Sequence, residues 1–305
     1  MSNFCGVLNI HKEKDYTSHD VVAVVRKILN TKKVGHTGTL DPNAEGVLPI
    51  CVGRATKIAD FITSTSKKYV AVVHLGITTD TEDITGNIIN KSNVNICEDE
   101  LLSVIDSFKG KINQTPPMYS AIKIKGKKLY ELARAGETIE RKSREIEIFD
   151  IKIIDFLANN KFTIEVLCSK GTYIRTLCKD IGERLGCGAC MGNLTRISTG
   201  NFNIENSIKL RELKILSENK DLANVFIGFE EIFQGLTKII VKPEASNYLY
   251  NGNKISSNYL SIEKDALIVD EKVLIYDNNE TLIGLYSVFM DANTKAVKPI
   301  TMLNI

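Results

Sequence analysis

His36 and Asp41 stand five residues apart in "GHTGTLDPNAEGVLP" (35–49), a stretch holding three of the chain's 20 glycines and two of its six prolines. Glycine permits positive φ, and proline fixes φ while removing a backbone donor, so this composition predicts a loop. Pro42 pushes Asp41 out of the helical region into extended backbone. A carboxylate held that way on a glycine-flanked loop can project into a cleft and act as nucleophile or base. An Asp-Pro pair also initiates turns, and from the local sequence both readings stand.

Two rival chemistries fail on the residues. A phosphate-binding P-loop needs G-x-x-x-x-G-K-[ST], but Gly46 and Gly53 are too far apart and Arg54 follows. "HTGTLD" resembles the "KTGTLT" of cation-pumping ATPases, whose nucleophilic Asp precedes the lysine; here that position is Gly35. Cys187 and Cys190 in "CGAC" have C-x-x-C spacing, but a zinc site would want a second pair, which Cys168 and Cys178 do not form. Small buried thiols are the plainer reading, and no metal is expected. Seven cysteines, an odd number, fit a reducing compartment better than a disulfide framework.

These residues need elements to position them. The 305 residues, 43% apolar and 25% charged, suffice for one large and one small domain. No run of 18 apolar residues and no signal-peptide pattern occur, so the expectation is a soluble cytoplasmic protein without a membrane partner. "CGVLNIHK" reads as a short buried strand. In "TSHDVVAVVRKIL", Thr17 and Asp20 form a capping-box pattern that opens a helix over 18–29. "KKYVAVVHLG" alternates and is a strand, "EDELLSVIDSFKG" is a helix with a Lys-Gly stop, and "KKLYELARAG" is a shorter helix. "REIEIFDIKIIDF" and "KFTIEVLCSKG" are long strands about the Asn-Asn turn at 159–160. From Thr172, Ile174, Leu177, Cys178, Ile181 and Leu185 share one helical face. After about residue 235, "LTKIIVKP", "ALIVD", "KVLIYDNN" and "LIGLYSVFMD" read as short strands of a small β domain. Strands and helices interleave without strict βαβ alternation, which makes the fold class α+β with a mixed sheet.

Charge supplies a further clue. The net charge of +2 hides residues 109–144, which carry ten Lys/Arg against three Asp/Glu, a balance of +7. Such a segment is what a phosphate-binding surface requires, although a solvated lysine-rich face has the same composition.

Four blocks in order then resemble the bacterial tRNA pseudouridine-55 synthases, the TruB family. They are "NIHKEKDYTSHDVV" (9–22), "GHTGTLDPNAEGVLPICVGRATK" (35–57), "QTPPMYSAIKIKGKKLYELARAG" (114–136) and "CSKGTYIRTLCKDIGERLGCGAC" (168–190). Glu13 and Asp15 stand where the family usually has Pro and Gly, and Cys190 where relatives often carry His. The resemblance implies a largely antiparallel catalytic domain over 1–235 and a PUA-like RNA-binding domain over 236–305. It implies isomerisation of uridine-55 in the tRNA T-loop by base flipping, with neither cofactor nor metal, by a monomer needing no obligate protein partner. Asp41 would be the catalytic aspartate, Arg175 its partner, and Tyr69 would lie against the base. Tyr173 and Leu194 would line the uridine pocket, and His36 would contact RNA near the vacated base position. Lys123, Lys125, Lys127 and Lys128 would meet the phosphates of the T stem-loop. A non-catalytic tRNA-binding or folding protein on this scaffold, or a synthase acting on another RNA, are the alternatives.

Overall fold

The computed structural model describes residues 4–124 and 126–303; Lys125 lies outside them. A ten-stranded sheet runs through the larger part of the chain. Its main path is Phe226–Ile227, Gly6–Lys12, Glu45–Val52, Ala189–Thr199, Lys67–Leu75, Lys161–Cys168, Arg144–Leu157 and Gly110–Gln114. Neighbours on this path are antiparallel except Glu45–Val52 and Ala189–Thr199, which meet in parallel at Thr195↔Glu45 and Arg196↔Gly46. The α+β class with a largely antiparallel mixed sheet is therefore what the chain forms.

Local sequence explains the elements that frame the loop. Helix Ser18–Leu29 opens on a capping box, in which Thr17 Oγ1 accepts from the Asp20 N–H at 3.1 Å and the Asp20 carboxylate accepts from Thr17 N–H at 2.8 Å. It buries Val21, Val22, Val25 and Leu29 against the sheet core and ends on Asn30 in left-handed backbone. Lys67–Leu75 alternates along its length between buried and half-buried positions, as a sheet with one core face should. Helix Ile174–Arg184 packs on Ala189–Thr199 through the apolar face that its periodicity predicts. Asn159 and Asn160 turn the chain between the two long strands at φ 61° and 59°, a region asparagine tolerates. Asp15 adopts φ 69°, and its N–H reaches Pro42 O at 3.0 Å. The first turn therefore takes a positive-φ conformation at an aspartate, a residue that tolerates it.

A five-stranded sheet, Thr237–Ile240, Lys272–Tyr276, Leu282–Asp291, Thr294–Met302 and Ile255–Ser256, closes the chain. One apolar cluster joins the two sheets, with Val7, Val47 and Cys51 on one side and Leu274, Tyr276, Leu285 and Leu303 on the other. "ALIVD" is not a strand: a single turn at Lys264–Ala266 takes in its first residue, Leu267 alone is buried, and Ile268 and Val269 face solvent. Among the described residues the run has no neighbouring strand to pair with. The helix Glu98–Asp106 stops on Ser107, and Gly110 instead opens the next strand at φ 94°. The strand Ala189–Thr199 and the helix Leu210–Glu218 are additions to the elements read from sequence. Among the described residues no helix is long and apolar enough to cross a membrane.

Candidate active site

The loop 37–44 is fastened along its whole length. Thr37 donates from both N–H and Oγ1 to Pro49 O at 3.2 Å. Ser18 Oγ accepts from Leu40 N–H at 2.9 Å, and Ala44 N–H closes a turn on Asp41 O at 3.1 Å. Beneath it lies the buried Lys12, whose ammonium donates to Glu13 O at 3.1 Å, Pro42 O at 3.0 Å and Ala44 O at 2.5 Å. Three N–H donors meet three carbonyls. Burial pushes the Lys12 ammonium down to about 8, against the pull of Asp41. The sequence shows Lys12 as an ordinary strand end, so nothing local marks it.

Asp41 is gripped by Arg175 from helix Ile174–Arg184. Arg175 Nε lies 2.9 Å from Asp41 Oδ2, and Nη2 donates to Oδ1 at 3.3 Å. The remaining donors go to Thr81 O at 3.2 Å and Tyr119 O at 2.8 Å, and Asp83 Oδ2 lies 4.0 Å from Nη1. The arginine is 5% exposed, whereas the Asp41 side chain keeps 38% of its surface open. Burial raises the Asp41 carboxyl above the ordinary aspartate range; Arg175 and Lys12 oppose the rise and Asp83 adds to it. The carboxylate is thus oriented by one cation and accessible from one side.

Tyr69 opens Lys67–Leu75 on the buried face of the sheet, in register with Arg196. Burial raises its phenol pKa, and the Arg196 guanidinium opposes that rise. Leu194 sits two residues before Arg196, opposite Ala71, in the same core cluster as Tyr69 and Leu40. Tyr173 is half-buried immediately before the helix. Gln114 clamps its backbone, accepting from Tyr173 N–H at 2.8 Å and donating to Tyr173 O at 3.0 Å, while the Arg144 guanidinium lies over its ring at 4.9 Å. His36 begins the loop, half-buried and edge-on to His19 with ring centroids 5.3 Å apart. Its Nδ1 accepts from Gly38 N–H at 3.3 Å. Burial, then His19, lowers its pKa, so the imidazole is neutral at pH 7.

The basic segment divides on inspection. Lys109 pairs with Asp106 and Asp150, and Lys111 with Glu145. Arg141 donates to Pro116 O and Arg144 to Gly171 O. Lys123–Ile124 pairs with Lys127–Lys128 in a two-stranded hairpin that follows Tyr119, whose carbonyl meets Arg175. Lys127 is exposed on it, and Lys128 approaches the Tyr130 hydroxyl at 3.1 Å. The thiols of the C-x-x-C pair, Cys187 and Cys190, are buried and raised by that burial.

Comparison with known proteins places the chain in a family. The model for the TruB family pseudouridylate synthase N-terminal domain matches residues 26–174, and that for the tRNA pseudouridylate synthase B C-terminal domain matches 175–234. A tRNA pseudouridine synthase B of Alkaliphilus oremlandii (strain OhILAs) is 50% identical over 299 residues, covering 98% of each chain. A tRNA pseudouridine synthase B of Staphylococcus aureus (strain MSSA476) is 44% identical, covering 98% of this chain and 99% of its own. A crystal structure of a Cbf5-Nop10-Gar1 complex superposes with a TM-score of 0.76 at 28% identity, over 98% of this chain and 84% of that one. Matched along nearly its whole length, the chain belongs to the TruB family of pseudouridylate synthases.

Proposed function

We propose that the protein isomerises uridine-55 in the T-loop of tRNA to pseudouridine, with Asp41 as the catalytic carboxylate. The observation that carries the reading is the Asp41–Arg175 pair: a carboxylate bound through two nitrogens of a buried arginine yet open on one side. The reaction breaks the N1–C1′ bond, turns the base and forms the C5–C1′ bond; the C5 proton leaves and N1 gains one. Atoms and charge balance within the nucleotide and water. Asp41 attacks as an ionised nucleophile, and Arg175 keeps it ionised and aimed. Tyr69 offers a ring face to the base and a phenol oxygen toward the C5 proton.

Extruding the base from the folded T-arm costs roughly a few kcal/mol. A neutral His36 fits the space left in the RNA, and Tyr173 and Leu194 the walls around the extruded uracil. Lys123, Lys125, Lys127 and Lys128 are assigned to phosphates of the T stem-loop. We assign catalysis to residues 1–235 and RNA binding to a PUA-like unit over 236–305, in a cytoplasmic monomer. The relatives of Alkaliphilus oremlandii and Staphylococcus aureus are named for tRNA, which favours that substrate over a guided RNA.

The test is release of tritium from C5-labelled uridine in unmodified tRNA. Wild type is expected to release one label per tRNA, and Asp41→Asn none on the same time scale. Wild-type protein that binds tRNA without releasing label would refute the assignment.

A further inference from the structure

Arg196 is among the largest side chains withdrawn from solvent, 1% exposed, and lies mid-way along Ala189–Thr199. It is flanked across the sheet by Gly46 on one side and Tyr69 on the other. Nε donates to Val47 O at 2.7 Å and Nη2 to Gly38 O at 3.3 Å. Tyr69, its register partner on the adjacent strand, lies near enough for the guanidinium to pull the phenol pKa down against the effect of burial. Its hydrogen bonds thus go to two backbone carbonyls rather than to a carboxylate.

That is an expensive way to fill a core, since burying a cation costs several kcal/mol and a carboxylate or an apolar side chain would relieve it. The arrangement makes sense through what it joins. Gly38 and Val47 are the two shoulders of the segment that holds Asp41. Gly46 permits the junction: a Cβ there would lie 2.3 Å from Arg196 O, and its φ is 105°. A rigid planar fork can hold three receivers at fixed mutual spacing, which a lysine ammonium on a flexible stem cannot.

We propose that Arg196 is the positioning residue of the site, bracing both shoulders of the Asp41 loop and the Tyr69 phenol with one guanidinium. The two groups that reach the uridine are thereby held at a fixed separation, with a permanent cation behind the phenol oxygen. The proposal rests on the pseudouridine-synthase reading above.

Arg196→Lys separates positioning from binding. The expected result is a Kd for tRNA within about threefold of wild type, with single-turnover tritium release slowed at least fiftyfold. A rate within threefold of wild type, or a loss of affinity as large as the loss of rate, would overturn the proposal. Tyr69→Phe supplies a second reading that survives if the first variant does not fold. It leaves the guanidinium one receiver short, so its melting temperature is expected to fall below wild type; an unchanged or higher value would sink the bracing role. If wild type releases no label, the reaction assignment fails, while the Tyr69→Phe melt still judges the contact.

Discussion

Arg175 holds Asp41 by two nitrogens, at 2.9 and 3.3 Å, and spends its other donors on the carbonyls of Thr81 and Tyr119. One side chain therefore ties the loop carboxylate to two other segments of the chain. The second of these leads directly into the basic hairpin.

Asp41→Asn is expected to lower tritium release roughly a thousandfold or more, because an amide is no nucleophile. Stability should not follow activity. The carboxyl is raised in the fold, so above pH 3.8 the unfolded state sheds its proton first and ionisation of Asp41 works against folding. Thermal melting at pH 7 should therefore show Asp41→Asn no less stable than wild type. A marked fall would mean that the ion pair outweighs the burial.

Arg175→Met should cost both. It strips the partner from Asp41 and two backbone carbonyls, and roughly 2–3 kcal/mol of stability should go with it. Arg175→Lys keeps a charge but not the fork, so denaturant unfolding should show a smaller loss, with activity still down about a hundredfold.

Lys12 predicts an alkaline limit. Above a pKa of about 8 its amine has two donors for the carbonyls of Glu13, Pro42 and Ala44, and one of these three contacts is lost. Turnover should fall as pH rises through 8, read from a pH profile against the Lys12→Arg variant. Global stability should not fall on this account, because the unfolded lysine holds its proton up to 10.5 while the folded one releases it. Lys67, also pushed down to about 8, donates to only two carbonyls, Thr63 O and Thr65 O, and needs no third proton.

Neutralising Lys127 and Lys128 together with Lys123 and Lys125 should weaken tRNA binding across all tRNAs. The slope of log K against log salt should become shallower by about 0.7–0.9 for each phosphate that no longer meets a cation. An unchanged slope measured by filter binding would return the hairpin to ordinary surface.

Much of the fold and part of the site are legible in the sequence. Thr17 and Asp20 announce their helix because a capping box is local chemistry, and Lys67–Leu75 announces itself by strict alternation. Asp41 and Arg175 need the family resemblance, since 134 residues separate them. Ala189–Thr199 escapes because Gly192, Asn193 and Arg196 interrupt its apolar pattern and register shifts break its pairing. Arg196 itself is invisible: its partners lie 149 and 158 residues away, and buried carbonyls leave no mark on composition. Gln114 and Lys12 escape for the same reason, as each serves backbone atoms of distant segments.

The strand Glu45–Val52 has a consequence for how this protein can change over time. Leu48, Ile50 and Val52 fill the main core, while Val47 and Cys51 fill the seam with the terminal sheet. Lys67–Leu75 has every second position only half-buried; this strand has no such parity to offer. Substitutions that a one-faced strand would absorb must here be matched by two separate sets of neighbours. The segment that follows Asp41 is therefore expected to tolerate the fewest replacements in a saturation library, and to do so for reasons of packing rather than chemistry.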